Sequence, residues 1–213
     1  AMFENDKGIY PKTTGTVILG EDQGGTFATG VTQNIPILAQ SANQGIAVAR
    51  AEVDSLVRRI PLLLRTPDGW VPAFSTEVLK ILAGADTYVI RTNDNGLEEI
   101  RVKGLPAVPV DSLGRKWISF VNTPQTDLQE MDVEGRFVFV GFTAKGIMPQ
   151  LSTPVGYLEP HKIQAALAES ILIENSPYVP DYALAVETGI LLVSMGLMWL
   201  ILNVFGISLG ITL

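Results

Sequence analysis

Residues 135–170 read GRFVFVGFTAKGIMPQLSTPVGYLEPHKIQAALAES. The apolar run at 137–140 predicts a short central strand that is buried on both faces, with Val138 inside the core. A glycine-bounded loop follows at 141–146, and the apolar periodicity of 163–173 predicts a helix. In open α/β sheets, ligands bind in the crevice beyond the carboxyl ends of the strands. The stretch therefore predicts an α/β fold with a crevice where this strand ends.

The overall composition predicts one folded domain with an apolar tail. The 213 residues are 47% hydrophobic, which is enough to bury one core. The formal net charge of -7 argues against a nucleic-acid partner, because phosphate binding needs clustered Lys and Arg residues. Arg58 and Arg59 are adjacent, and neighbouring residues of a strand point to opposite faces. We therefore interpret them as a solvated or ion-paired strand face rather than an anion clamp.

The chain has no cysteine and a single histidine, His161, which narrows the possible chemistry. Disulfides, thiolate metal sites and cysteine nucleophiles are excluded, and so is a zinc site built from several histidines. A hydrolase that uses His161 is a minor alternative, but the sequence places no nucleophile beside it. We expect no catalytic residue, no metal and no cofactor in this chain.

Local patterns predict a mixed sheet with flanking helices. Ser75 as N-cap and Gly84 just beyond the last turn bound a predicted helix at 74–82. Pro67-Asp68-Gly69 predicts a turn, and Asn93-Asp94-Asn95-Gly96 predicts a hairpin. The alternating runs at 46–48 and 56–60 are expected to be paired. Predicted strands lie at 16–19, 46–48, 56–60, 87–92, 97–102 and 116–121.

The two ends of the chain differ from the middle. Residues 1–15 are polar and predict an irregular segment, and Ala1 before Met2 is typical of a cloning scar, so we expect the natural protein to extend upstream. In 183–213 the only charged residue is Glu187, and the segment is long enough to span a hydrocarbon core of about 30 Å. We predict a transmembrane helix, a tight turn at 203–206 and the start of a second span. A buried C-terminal helix is the alternative.

Five stretches carry a family resemblance in this order: DSLVRRIPL (54–62), PVDSLG with the strand WISF (109–120), GRFVFVG (135–141), Thr153-Pro154 and Glu159-Pro160-His161. Together they resemble the CHASE2 domain, an extracytoplasmic sensory module of bacterial membrane receptors. The resemblance covers residues 16–213, and it predicts a sensory domain at 16–180 followed by membrane helices. The family's first strand-helix-strand portion and the membrane helix before it are not recognisable here, so the domain is expected to lack its N-terminal portion.

This resemblance implies a non-enzymatic sensory input domain on the outer side of the bacterial inner membrane. Such modules precede nucleotide cyclase, histidine kinase or Ser/Thr kinase output domains. The implied partners are the membrane, a second copy in a homodimer, and an unknown small molecule or periplasmic ligand. A ligand-independent dimerisation module of a membrane receptor is the alternative.

The predicted crevice supplies candidate ligand-binding residues. Thr143, Thr153, Glu159 and His161 are expected to converge on it from the loop and the helix start. Alternatively, Glu159 and His161 do no more than begin the helix. The loop has the glycine spacing of a phosphate loop, but Ile147-Met148 stands where such a loop needs Lys and Ser or Thr, so we interpret it as a strand-terminal turn.

Overall fold

The computed structural model describes residues 2–11, 15–120, 134–144, 149–174, 177, 179–180 and 182–205. The chain divides into two compact units, Ala1–Tyr178 and Val179–Leu213. The helices of the first unit are α1 (Pro36–Ser41), α2 (Phe74–Leu82) and α3 (Pro160–Leu172). Its strands are β1 (Met2–Ile9), β2 (Thr16–Leu19), β3 (Thr26–Phe27), β4 (Val31–Thr32), β5 (Ile46–Ala47), β6 (Arg59–Pro61), β7 (Leu63–Thr66), β8 (Gly69–Pro72), β9 (Tyr88–Asn93), β10 (Gly96–Val102), β11 (Val108–Pro109), β12 (Arg115–Trp117), β13 (Leu151–Thr153) and β14 (Gly156–Leu158).

The strands form several small mixed sheets. The largest has the order β11-β10-β9-β2, and two three-stranded sheets have the orders β4-β1-β5 and β3-β7-β8. β12 pairs with β6, and β13 pairs with β14. The pairs β1–β5, β2–β9 and β3–β7 are parallel, whereas the other pairs are antiparallel. This architecture confirms the predicted α/β class with a mixed sheet.

Both predicted turns connect antiparallel strands. Asn93 Oδ1 accepts a hydrogen bond from the Asn95 amide at 2.9 Å, and the β9–β10 hairpin closes there. Gly96 has a φ of +124°, and a Cβ at this position would lie 2.7 Å from the Ser112 carbonyl oxygen. Gly69, with a φ of +137°, opens β8 after the turn from β7. In both turns glycine is required because the backbone occupies a region that other residues avoid.

The predicted bounds of α2 are half right. Gly84 has a φ of +60° immediately after the C-cap Ala83, as predicted for the residue that ends the helix. The predicted N-cap is wrong, because Ala73 occupies that position and Ser75 lies inside the helix. Ser75 Oγ instead donates hydrogen bonds to the backbone and side-chain oxygens of Gln164 on α3. The Ser75 hydroxyl therefore bonds to a distant residue, Gln164, instead of capping its own helix.

The core of the first unit lies between the strands and the helices α2 and α3. Gln164 is buried within it, and its Nε2 donates to the Val48 carbonyl oxygen at 2.8 Å. Tyr88 is fully buried, and its hydroxyl donates to Glu77 Oε2 at 2.8 Å. Buried polar groups are tolerated when they find partners in this way. The apolar core includes Ile46, Ile60, Leu62, Leu63, Leu64, Leu79, Ile90, Ile100, Ile163 and Leu167.

Two predictions about the first 60 residues are wrong. The segment predicted to be irregular contains β1, which lies between β4 and β5 and receives backbone partners on both sides. The runs at 46–48 and 56–60 do not pair with each other, since β5 pairs with β1 and β6 pairs with β12. Side-chain alternation identifies a half-buried strand but does not select its neighbour.

The predicted central strand at 137–140 is also wrong. These residues form no strand, and Val138 is 43% exposed rather than buried. Within the segment, Phe139 packs its ring edge-to-face on Phe74, with 5.9 Å between the ring centroids. An apolar run becomes a strand only where a neighbour supplies backbone hydrogen bonds, and none of the described strands pairs with this one.

The second unit is the apolar helix α4 (Ala183–Phe205). Within Ala183–Asn203 an 18-residue window has a mean hydropathy of 2.0, and this stretch is long and apolar enough to cross a membrane. The predicted tight turn is wrong at 203–205, because these residues continue the helix. Gly206 and the predicted start of a second span at 207–213 lie outside the described residues, as does Ala1.

Candidate functional site

The start of α3 carries two of the four predicted site residues. Glu159 is the N-cap and Pro160 is the first helical residue, a position where proline loses no hydrogen bond. The Glu159 carboxylate accepts hydrogen bonds from Gln150 Nε2 at 3.1 Å and pairs with Lys162 Nζ at 3.0 Å. The hydrogen bond from Lys162 is the main reason that the pKa of Glu159 falls to about 2. Glu159 is therefore charged at neutral pH.

His161 lies beside this carboxylate and is half-buried. Burial lowers the pKa of His161, which keeps its imidazole neutral at pH 7. Gly141 packs directly against the ring, and a Cβ at position 141 would overlap the imidazole atoms. The glycine is needed here for close approach. It allows the backbone at residue 141 to lie against the start of α3.

The two predicted threonines have different environments. Thr143 is exposed on the segment that Gly141 holds against α3. Thr153 is buried at the end of β13, where its hydroxyl donates to the Gly156 carbonyl oxygen at 2.6 Å and closes the β13–β14 hairpin. The Thr153 hydroxyl thus stabilises its own turn. The structure places Gly141 against His161, next to Glu159 in the chain, and it gives Thr153 a local role.

Sequence reasoning missed two residues of this site, Gln150 and Lys162. Lys162 lies three residues after Glu159, a spacing that places both side chains on one helix face, so the pattern contained a usable signal. Gln150 approaches from outside the helix, and no local pattern marks it. The resulting group has one carboxylate, one ammonium, one amide and a neutral imidazole. It offers both donors and acceptors to a small polar ligand.

Arg58 and Arg59 are ion-paired, as the sequence predicted, but only Arg59 lies in a strand and both side chains pair with Glu52. Arg59 Nε donates to Glu52 Oε1 at 2.6 Å, and its Nη1 donates to Asp111 Oδ2 at 3.2 Å. Arg58 Nη2 donates to Asp54 Oδ2 at 2.5 Å. These carboxylates already occupy the two guanidinium groups, so the cluster ties a surface loop to β6 rather than offering an anion site.

The described residues contain no group of three or more Asp, Glu or His side chains that could hold a metal ion. The candidate site has one carboxylate and one imidazole, Glu159 and His161, and Lys162 already neutralises the carboxylate. A divalent cation needs more oxygen or nitrogen ligands than these two residues supply.

Large apolar side chains lie exposed on the two segments next to the start of α3. One segment is 137–142, which contacts α2 through Phe139 and α3 through Gly141. The other is the β13–β14 hairpin, which leads directly into Glu159. We call these side chains the apolar surface: Phe137 (47% exposed), Val138 (43%), Val140 (74%), Phe142 (69%), Val155 (60%) and Tyr157 (72%).

A comparison with protein families identifies the chain. The family model of the CHASE2 domain matches residues 7–205, from within β1 to the end of α4. The chain belongs to the CHASE2 family. CHASE2 domains are extracytoplasmic sensory domains of signalling receptors, and the match includes the helix that is apolar enough to span a membrane. No curated protein and no solved structure matches the chain.

Proposed function

We propose that this CHASE2 chain is the sensory input domain of a bacterial receptor in the inner membrane, with a nucleotide cyclase, histidine kinase or Ser/Thr kinase as output. The observation that carries the proposal is a folded α/β unit followed directly by a helix able to span a membrane. In this arrangement, binding to the first unit is passed on to the membrane helix. The chain itself then acts by binding and not by catalysis.

The coupling needs a ligand that binds two arrangements of the receptor with different affinity, because a ligand of equal affinity shifts no equilibrium. Pro177 and Pro180 lie in the connection between α3 and α4. Proline fixes φ, so the two prolines limit the conformational freedom of this short linker. A movement of the first unit is then transmitted to the helix rather than absorbed by the linker. Tyr182 precedes α4, and its aromatic side chain suits the membrane interface.

The ligand site of this proposal is the start of α3. Glu159 is charged, His161 is neutral, and Lys162 supplies a positive charge within the same turn. The exposed hydroxyl of Thr143 lies on the adjoining segment, whereas Thr153 supports the site through its hairpin. This mixture of groups fits a small polar molecule with both donors and acceptors, in preference to a purely anionic one.

The orientation is tested by cysteine labelling, since the chain has no thiol of its own. Asp94 is exposed in the β9–β10 hairpin, so Asp94→Cys introduces a single accessible thiol. A membrane-impermeant maleimide should label this variant in intact cells with an opened outer membrane. Labelling that requires lysis of the inner membrane would place the domain in the cytoplasm and would refute the proposal.

The sensing role is tested in a chimaeric receptor with a nucleotide cyclase output. Small polar metabolites and inorganic ions are added outside the cells, and cyclic nucleotide production is measured. Probes that change the output of the parent receptor should lose their effect in Glu159→Gln and His161→Ala. Glu98→Gln is the matched control, because Glu98 is exposed on β10 outside the site. If both site variants respond normally and only lose stability, Glu159 and His161 serve to start the helix and do not bind the ligand.

An assembly module is the second candidate function, and the apolar surface favours it. Its six large apolar side chains are each at least 43% exposed, and exposed apolar side chains that lie together often mark protein–protein contacts. The two functions are compatible, since a sensory domain can change its response by changing how its copies associate. The chimaera separates them: assembly without sensing gives an output that no added probe alters.

A further inference from the structure

The helix α1 buries none of its side chains, although its sequence PILAQS is mostly apolar. It connects β4 to β5, which lie on either side of β1. A helix in such a connection usually packs an apolar stripe on its own sheet. Instead, Ile37 is 69% exposed and Leu38 is 55% exposed, and Ile35 just before the helix is 61% exposed. These three side chains therefore contribute little to the core of the first unit.

The exposed side chains are neighbours in the chain and belong to one compact element. We call residues 34–44 the α1 lobe, which lies well inside the described range 15–120 and contains no buried residue. Its two ends are tied together, because Asn34 Nδ2 donates to Gln44 Oε1 at 3.0 Å. Gln44 Nε2 also donates to the Ala39 carbonyl oxygen at 3.3 Å. The lobe is thus closed at its base by side-chain hydrogen bonds.

The α1 lobe is attached to the core on both sides. Val31 before it is 1% exposed, and Ile46 after it is fully buried. Gly45 lies so close to α2 that a Cβ at this position would be 2.6 Å from the Phe74 Cα. An apolar tip that is already held in shape loses little conformational entropy when it is covered.

The lobe lies in a stretch of sequence without charge. Residues 23–49 contain no Asp, Glu, Lys or Arg, whereas the whole chain carries 22 acidic and 15 basic residues. An acidic protein is repelled by anionic lipid headgroups, so its charged parts approach a membrane poorly. An uncharged apolar tip meets no such repulsion. The polar residues of the lobe, all of them uncharged, are Asn34, Gln40, Ser41, Asn43 and Gln44.

We infer that the α1 lobe inserts its apolar tip, formed by Ile35, Ile37 and Leu38, into the lipid surface of the membrane that α4 spans. The inference rests on the proposed function for one element, the anchoring of the chain by α4. Anchoring keeps the folded unit near the bilayer and raises its effective concentration there, so a tip of three side chains suffices. The contact is hydrophobic and requires no basic residue.

A second protein is the competing occupant of the tip. A standard interface takes about 20–30 residues from each side, many more than the lobe offers. A lipid surface needs no matching shape, and without charge its affinity for a protein depends on the apolar area that becomes buried. The small size of the tip and the lack of charge thus favour lipid, and a protein contact becomes an outcome of the test.

The test uses single cysteines, because the chain has none of its own. Ile35→Cys and Ile37→Cys are labelled with an environment-sensitive fluorophore in the full chain, which is then reconstituted into phosphatidylcholine vesicles. Val53→Cys is the matched control, since Val53 is a fully exposed aliphatic residue outside the lobe. Lipids brominated on their acyl chains should quench both lobe probes about threefold or more above the probe at position 53. Equal quenching at all three positions would overturn the inference.

A charged variant tests whether the contact is hydrophobic. Leu38→Asp should lower the quenching at position 35 about threefold or more, because a carboxylate is unfavourable near acyl chains. Val53→Asp should leave it unchanged. Leu38 and Val53 are both exposed, so neither aspartate is expected to unfold the first unit, and protease resistance checks this. Added salt or anionic lipid should not increase the quenching in the parent chain, and an increase would show an electrostatic contact instead.

The remaining outcomes separate this inference from the proposed function. Resistance of the chain to alkaline extraction from the vesicles reports the anchoring. An anchored chain whose lobe probes are not quenched refutes the lipid contact and leaves the sensory proposal standing. A blue shift of the lobe probes that grows with protein density, without quenching by lipid, assigns the tip to a protein contact and also overturns the inference. A chain that is not anchored refutes both proposals.

Discussion

The Gln164 side chain on α3 links α2 and the segment after β5 within the core. Replacing it should lower the free energy of unfolding more than replacing an exposed glutamine. Its Nε2 donates to the Val48 carbonyl oxygen at 2.8 Å, and its Oε1 accepts from the Ser75 hydroxyl at 2.5 Å and the Ser75 amide at 3.3 Å. In Gln164→Ala the Ser75 hydroxyl keeps the backbone oxygen of residue 164, at 2.7 Å. The Val48 carbonyl and the Ser75 amide lose this side-chain partner.

Each buried polar group without a partner costs about 1–3 kcal/mol. Some relaxation and the entry of water offset part of this cost, while the cavity left by the side chain adds to it. We expect Gln164→Ala to lower the free energy of unfolding by about 3 kcal/mol, which corresponds to a Tm decrease of roughly 6–12 °C for a unit of this size.

The measurement is thermal or urea unfolding of the full chain in detergent, followed by the fluorescence of the buried Trp70. Gln150→Ala is the matched control, since Gln150 is exposed and makes one hydrogen bond, to Glu159. A double-mutant cycle with Ser75→Ala should give a coupling of about 1 kcal/mol or more. If Gln164→Ala and Gln150→Ala have free energies of unfolding within about 0.5 kcal/mol of each other, the hydrogen bonds of Gln164 do not stabilise the fold.

Three further predictions concern titration and packing. Lys116→Met should raise the free energy of unfolding at pH 7, because Lys116 is only 7% exposed and burial lowers the pKa of its ammonium, which disfavours the charged form. Burial lowers its pKa in the folded state, so the penalty is full at neutral pH, and the gain seen by urea unfolding should shrink as the pH rises toward 10.5. The pKa of Glu159 is lowered to about 2, so its stabilisation is complete above the unfolded value near 4.5 and is lost as the pH falls from there to 2. Glu159→Gln should reduce the slope of this part of the pH–stability curve, although Glu4, Glu52 and Asp54 keep their own contributions, and a slope equal to that of the parent chain would contradict the assignment. Gly141→Ala should destabilise by about 1–3 kcal/mol through overlap with the His161 ring. His161→Ala in the same chain should relieve part of that cost, and strictly additive effects in thermal unfolding would refute the proposed clash.

Features that depend on a few neighbouring residues were predictable from the sequence. The Asn93–Gly96 turn and Gly84 after α2 need only local backbone geometry, and both are confirmed. The strand at 137–140 and the pairing of 46–48 with 56–60 depend on distant partners, and both predictions are wrong. The predicted N-cap at Ser75 failed for the same reason, because its hydroxyl bonds to Gln164, 89 residues away in the chain.

In the candidate site, too, only the features that depend on neighbouring residues were predictable. Glu159 and His161 are recognisable because Pro160 marks the start of the helix between them. The roles of Gly141 and Gln150 arise only when separate segments meet on α3. The Thr153 hydroxyl is engaged by the β13–β14 hairpin, which the local sequence pattern did not predict.

The parallel strand pairs and the Ser75–Gln164 hydrogen bond have a consequence for the order of folding. β2 pairs with a strand some 70 residues later, and the core closes only when α3 reaches Ser75. Contacts between such distant parts of a chain form slowly, because a long loop must be ordered before the contact is made. α3 is the last core element before α4. The core of the first unit therefore cannot close until the chain has been made as far as α3, and a shortened chain that ends before Gln164 would lack the partner that Ser75 needs.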